Sequence, residues 1–221
     1  MSHRWPLLCL AFVAVLSPRL LNAQAVIEGA VTVPQKPLSP PPASHYALKA
    51  GQIAPSPRQV AVIYLEGSFN TPPPAKPVTM EQKGYQFSSG VIAVQTGTRI
   101  EFPNGDDDYH NVFSYSKAKR FDLGRFRKDE TPPALVFDKP GVVRLYCEIH
   151  EHMRGIILVL DTPHFTTSTA DGRFRLTGLP AGNFTLKAWL DEKTTLVQPV
   201  TLKAGQTLRV DFPAAKLADV R

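Results

Sequence analysis

The chain has 221 residues, 43% of them hydrophobic, with 21 prolines and a formal net charge of +6. That length gives one large domain or two small ones with apolar content enough for a core, and the prolines argue against long helices. The basic excess is spread out with no lysine–arginine block, so a nucleic-acid partner would lack the basic stripe it needs.

At the start, His3 and Arg4 precede an apolar run from Leu7 to Leu16, and "SPRLLNAQA" follows with small residues at Ala23 and Ala25. This is the layout of a secretory leader, expected over 1–23. The run is too short to span a bilayer and no later stretch is long enough, so no membrane span is expected. The mature protein is expected to be periplasmic or secreted. Loss of the leader removes Cys9, Arg4 and Arg19, leaving 23 basic against 19 acidic residues and one cysteine, Cys147. A single thiol in an oxidising compartment has no partner for an intramolecular disulfide. It is then either buried and inert or a metal ligand.

Residues 26–33, "VIEGAVTV", and 60–67, "VAVIYLEG", read as strands on either side of a proline-rich segment, 34–59, without apolar periodicity. A second breaker, "NTPPPAKP" at 70–77, precedes a series of short strands. Ile92 and Val94, then Ile100 and Phe102, alternate around a turn at Gly97, and "NGDDD" at 104–108 reads as a solvated polar turn. After the Pro140-Gly141 turn, Val143, Leu145 and Cys147 share one parity and Arg144 the other, which aims the thiol at the core. "GIILVLD", 155–161, is a continuous apolar run and predicts a strand covered on both faces. Beyond it, Phe174 and Leu176, the 180–183 turn, then Phe184, Leu186 and Ala188 continue the alternation, with two more strands around Gly205. The pattern is all-β, with the spacing of sandwiches.

One stretch stands apart. "CEIHEHM", 147–153, places a thiol, two imidazoles and a thioether in seven residues. Cys147, His150 and Met153 follow one another at intervals of three, close enough for a tight loop to aim all three at one point. A fourth donor must come from elsewhere, and His110 in "DDDYHNVFSYS" is the best placed. Two imidazoles, a thiolate and a weak thioether suit both oxidation states of copper. Zinc is the competitor, since it also accepts one cysteine with histidines, although methionine is a poor zinc ligand.

These residues resemble the cupredoxins, with the loop spacing of the amicyanin type. The likeness runs through "GVIAVQTGTRIEFPN", "YHNVFSYS" and "FDKPGVVRLYCEIHEHMRGIILVLD". It implies a Greek-key β-sandwich over 76–161 holding one type 1 copper ion on His110, Cys147, His150 and Met153. It also implies that Asn111 steadies the thiolate loop and that the His150 ring edge is the electron port. His152 stands as the alternative axial donor. "STADGRFRLTGLPAGNFTLKAW" resembles the carboxypeptidase-regulatory-like, or transthyretin-like, sandwiches. Its family's opening strands match 28–33 and 60–66, which implies a discontinuous domain over 24–72 and 162–213 with the first sandwich inserted. A tandem arrangement is the alternative.

The expected function is one-electron carriage between protein redox partners. Copper binding, sensing or storage without electron traffic is the alternative, with docking to carbohydrate or envelope through the second domain. An enzyme is not expected. Besides His3, His110, His150 and His152, only His45 and His164 remain, neither in a His-x-His pair, and no nucleophile elbow or phosphate loop is present.

Overall fold

The computed structural model describes residues 23–34, 53–54 and 57–213. The expected leader apart from Ala23, and most of the proline-rich segment, His45 included, lie outside the described residues. Within them are fifteen strands and no helix. In chain order these are β1 (Ala25–Ala30), β2 (Val62–Glu66), β3 (Val78–Thr79), β4 (Val91–Gln95) and β5 (Thr98–Glu101). Then come β6 (His110–Tyr115), β7 (Arg120–Phe126), β8 (Leu135–Phe137), β9 (Gly141–Tyr146) and β10 (Arg154–Leu160). The series closes with β11 (Phe165–Thr167), β12 (Arg173–Leu179), β13 (Gly182–Trp189), β14 (Thr195–Leu202) and β15 (Thr207–Arg209).

Two sandwiches result. The first sets the five-stranded sheet β4-β10-β9-β6-β7 against β3-β5-β8. Val94, Val112, Leu145 and Ile157 of the larger sheet meet Ile100 and Phe137 of the smaller, with Met80, Phe87 and Phe102 filling the space between. Each such side chain, once buried, stabilises the fold by roughly 2 kcal/mol. The Gly97 and Pro140-Gly141 turns each carry the chain from one sheet to the other, since β4 and β9 lie in the larger sheet and β5 and β8 in the smaller. Gly97 has φ 90°, a conformation that a side chain would strain.

The second sandwich sets β12-β1-β15 against β11-β2-β13-β14. Ile27, Leu176 and Leu179 face Ile63, Leu65, Leu186 and Leu202. Strands from distant parts of the chain close both sheets. β1 pairs antiparallel with β12 and parallel with β15, while β2 pairs with β11 and β13.

The sandwiches also touch. β10 buries Ile157 and Val159 in the first core, and turns Leu158 and Leu160 toward Val62 and Trp189 of the second sandwich. This is the covering on both faces that its unbroken apolar run predicts. Across the same seam the Arg144 guanidinium donates to both carboxylate oxygens of Glu192. Besides the short β3 and β11, one strand, β7, has no counterpart among the elements expected from sequence. It is an edge strand whose Phe121 and Leu123 are only half buried, and its pairing with β6 shifts register between Asn111 and Phe113.

Candidate metal centre

β6 opens with His110, turned into the first core, and β9 delivers Cys147 one residue past its end. The chain then folds back on itself, with Met153 N–H donating to the His150 carbonyl at 2.9 Å. That turn returns His150 to the thiol. One donor atom each from His110, Cys147 and His150 lies within 4.8 Å of the others, and all three residues are buried. His110 Nδ1 is 3.1 Å from His150 Nδ1, which is 3.8 Å from Cys147 Sγ. Met153 is fully buried in the same apolar cluster as Cys147. The structure therefore gathers three of the expected ligands around one point and buries the fourth in the apolar cluster to which Cys147 belongs.

His152 is placed differently. Its Nε2 meets the Tyr85 carbonyl at 3.0 Å, so the ring is turned to the segment before β4 rather than to the thiol. Asn111 ties the thiolate loop to β7. Its Oδ1 accepts from Glu148 N–H at 3.4 Å, and its Nδ2 donates to Asp122 Oδ1 at 2.7 Å and to the Gly124 carbonyl at 3.0 Å.

Two expectations need correction. The "NGDDD" turn is solvated at Asp107 but not at Asp106, whose Oδ2 lies 2.8 Å from His110 Nε2. Asp106 also accepts N–H bonds from Gly84 at 2.8 Å and Tyr85 at 3.0 Å. The His150 ring edge is not at the surface either, being only 3% exposed. Tyr85 covers it, with its ring centroid 5.0 Å from that of His150 and 5.7 Å from that of His110, edge-on to both. Tyr85 has φ 58°, a left-handed conformation that costs a non-glycine residue about 1–3 kcal/mol. The contacts that offset this cost are the Asp106 bond, the His152 bond, and a hydrogen bond from the Tyr85 hydroxyl to Asp108. Tyr85 stands 25 positions before His110, and no local pattern links them; the Asp106–His110 spacing is visible in the sequence, but only a fold makes it a contact.

The electrostatics follow from these neighbours. Burial, with His110 close by, pushes the His150 pKa down to about 4. Burial also lowers that of His152. For Asp106 burial works against the charge, yet the N–H groups of Tyr85, His110 and Gly84 outweigh it and hold its pKa below the usual carboxylate range. An ionised carboxylate only accepts, so His110 Nε2 carries a proton and Nδ1 is the nitrogen left to face His150. Two imidazole nitrogens then face each other beside a thiol, the three donor atoms within 4.8 Å of one another. That arrangement fits a thiophilic cation that also takes nitrogen, such as copper or zinc.

An all-β protein of two packed sandwiches with a buried histidine–cysteine–histidine donor set is the class that fold and site define. Residues 155–215 match the model of the carboxypeptidase regulatory-like domain. That span takes in β11 to β15 of the second sandwich but also β10 of the first, and omits β1 and β2. No curated protein matches the chain.

Among solved structures the chain is similar to the Cu-containing nitrite reductase NirK from Thermus scotoductus SA-01, at 28% identity and a TM-score of 0.36, over 38% of this chain. It spans only 22% of that enzyme's length. It is also similar to amicyanin from Paracoccus versutus, at 24% identity and a TM-score of 0.35, over 39% of this chain and 83% of that one. A reduced Cu(I) form of a mutant amicyanin is similar at 19% identity and a TM-score of 0.35, over 38% of this chain and 81% of that one. Likenesses at these scores add nothing to what the donor geometry gives. No helix among the described residues is long and apolar enough to cross a membrane.

Proposed function

We propose that the chain is an exported mononuclear copper protein of the cupredoxin type that carries single electrons between redox proteins. One observation carries this reading: His110, Cys147 and His150, from two strands and a loop, converge in a buried pocket with both Nδ1 atoms turned inward. Copper, when bound, supplies a one-electron couple whose two states accept the same donors.

The chain's own residues do the rest. Cys147 would offer its thiolate and His110 and His150 their Nδ1 atoms to the ion, with Met153 as the fourth donor. Asp106 fixes the His110 tautomer, and Asn111 restrains the loop that bears the thiol. Tyr85 and the apolar core exclude water and hold the donors in place, which keeps reorganisation small when charge changes.

The test is direct. Purified protein loaded with Cu(II) should show strong thiolate-to-copper absorption and reversible one-electron reduction, and Cys147→Ser should abolish both. Tight cation binding with an unaltered spectrum in that variant would end the proposal.

A second reading, copper binding or storage without electron traffic, draws support from the burial of His150 beneath Tyr85. A pale complex that reduces slowly would favour it. We also infer that the copper sandwich is inserted into the second sandwich, a reading supported by the pairing of β1 and β2 with strands that follow β10. The second sandwich then acts as scaffold or as a docking platform for envelope or carbohydrate.

A further inference from the structure

The second sandwich covers the outer face of the five-stranded sheet only in part, over Val91, Ala93, Val142 and the outward residues of β10. The uncovered part holds a cleft of about 370 Å³ lined by Phe113, Tyr115, Ser116, Arg144 and Tyr146. It lies on the face away from the metal centre, because Tyr146 and Arg144 point outward where Leu145 and Cys147 point inward.

The walls are aromatic. Phe113 stands opposite Tyr146 across the β6–β9 pairing with ring centroids 5.7 Å apart, and its centroid is 5.4 Å from that of Tyr115. Tyr115 is 67% exposed, so its ring is open to a ligand. Cations border the rings: the Arg120 guanidinium lies 5.1 Å from the Tyr115 centroid, and that of Arg154 lies 5.8 Å from the Tyr146 centroid.

Arg144 is the charged group among the cleft's lining residues, and Glu192 orients it. Glu192, in the turn between β13 and β14, takes its Nε–H and one Nη2–H in a two-pronged bond. Five N–H donors less these two leave three, in a plane set by the other sandwich before any ligand arrives. The Glu192 pair thereby reduces the side-chain entropy that Arg144 has left to lose on binding. The nearest acid on β7, Asp122, is occupied by Asn111 Nδ2 and Gly124 N–H.

Aromatic walls, one guanidinium oriented by Glu192 and a cationic rim favour a flat, conjugated anion. The volume is at the small end of ligand pockets and suits one or two rings. A neutral sugar could lie on the rings, but it would put no acceptor charge against the three Arg144 N–H groups that Glu192 leaves open, nor against the rim arginines Arg120 and Arg154. We propose that this cleft binds a planar aromatic carboxylate, its ring against Phe113, Tyr115 and Tyr146 and its carboxylate on Arg144.

The test needs no copper, so its outcome is independent of the metal reading. The full chain, metal-free, is titrated with 2-naphthoate and, separately, with neutral 2-naphthamide, followed by amide NMR shifts and calorimetry. Saturable naphthoate binding is expected, with shifts centred on residues 113–116 and 144–146. A charged hydrogen bond makes the acid bind about tenfold or more tighter than the amide. Tyr115→Ser and Arg144→Gln, both at exposed positions, should each weaken naphthoate about tenfold while the amide spectrum stays folded. Arg144→Lys keeps the charge but loses the planar fork and should also weaken it. Equal binding of acid and amide, shifts centred elsewhere, no saturation, or displacement of naphthoate by methyl glucoside would each overturn the proposal.

Discussion

His110 can offer Nδ1 to a cation only while Nε2 keeps its proton, and the Asp106 carboxylate at 2.8 Å imposes that tautomer. The same carboxylate holds the backbone of Gly84 and Tyr85, so one side chain orients His110 and anchors the ring that packs against it. Asp106→Asn keeps the shape but loses the charge. It should weaken copper binding about 10–100-fold in a competition titration while the thiolate band persists; unchanged affinity would show that His110 needs no such partner. His150 sets the acid limit of the metal-free protein. Its pKa is about 4 in the fold against an ordinary 6.5, so between these values the unfolded chain holds a proton that the folded one refuses. Its contribution to stability is full above pH 6.5 and is lost as pH falls to about 4. Denaturant midpoints of the metal-free form should drop across that window, and His150→Phe, which cannot titrate, should flatten the drop.

Among the elements, β1 is the least local, since it lies between a strand about 150 residues later and one later still. Its Gly29 packs so closely on β15's continuation that an added Cβ would fall on the Val210 carbonyl oxygen, which is backbone and cannot rotate away. Gly29→Ala should therefore destabilise the protein by about 3 kcal/mol, in the range of overpacked cores, as read from urea unfolding. A neutral result would mean that β1 does not seat in that sheet. The β9–loop–β10 unit shows the opposite economy. Adjacent strands with a tight turn bring Cys147, His150 and Met153 together with little loop entropy, and the alternation of Val143, Leu145 and Cys147 determines which way the thiol points.

At the scale of the molecule, the two sandwiches share a seam built from Val62, Trp189, Leu158 and Leu160. Since β10 lies between two cores, loosening either one removes packing from the strand that follows the metal loop. Trp189→Ala should cost about 3–5 kcal/mol and lower the temperature at which the copper band disappears, although Trp189 belongs to the other sandwich. Calorimetry of the parent protein should give one cooperative transition. Two well-separated transitions, with the copper band indifferent to Trp189, would make the seam incidental.

The sequence alone determined the all-β class, both aromatic and aliphatic alternations, the double-faced burial of β10 and the residues that could bind a metal, because period-2 patterning and ligand chemistry are local properties. It did not announce β7, an edge strand whose half-buried residues and register shift leave a weak pattern. Nor could it reveal that Asp106 serves His110, that Tyr85 covers His150, or that Glu192 fixes Arg144 from the neighbouring sandwich. Each of these depends on distances set when sheets pack, and a chain's own order carries no distance between residues that meet only in the fold.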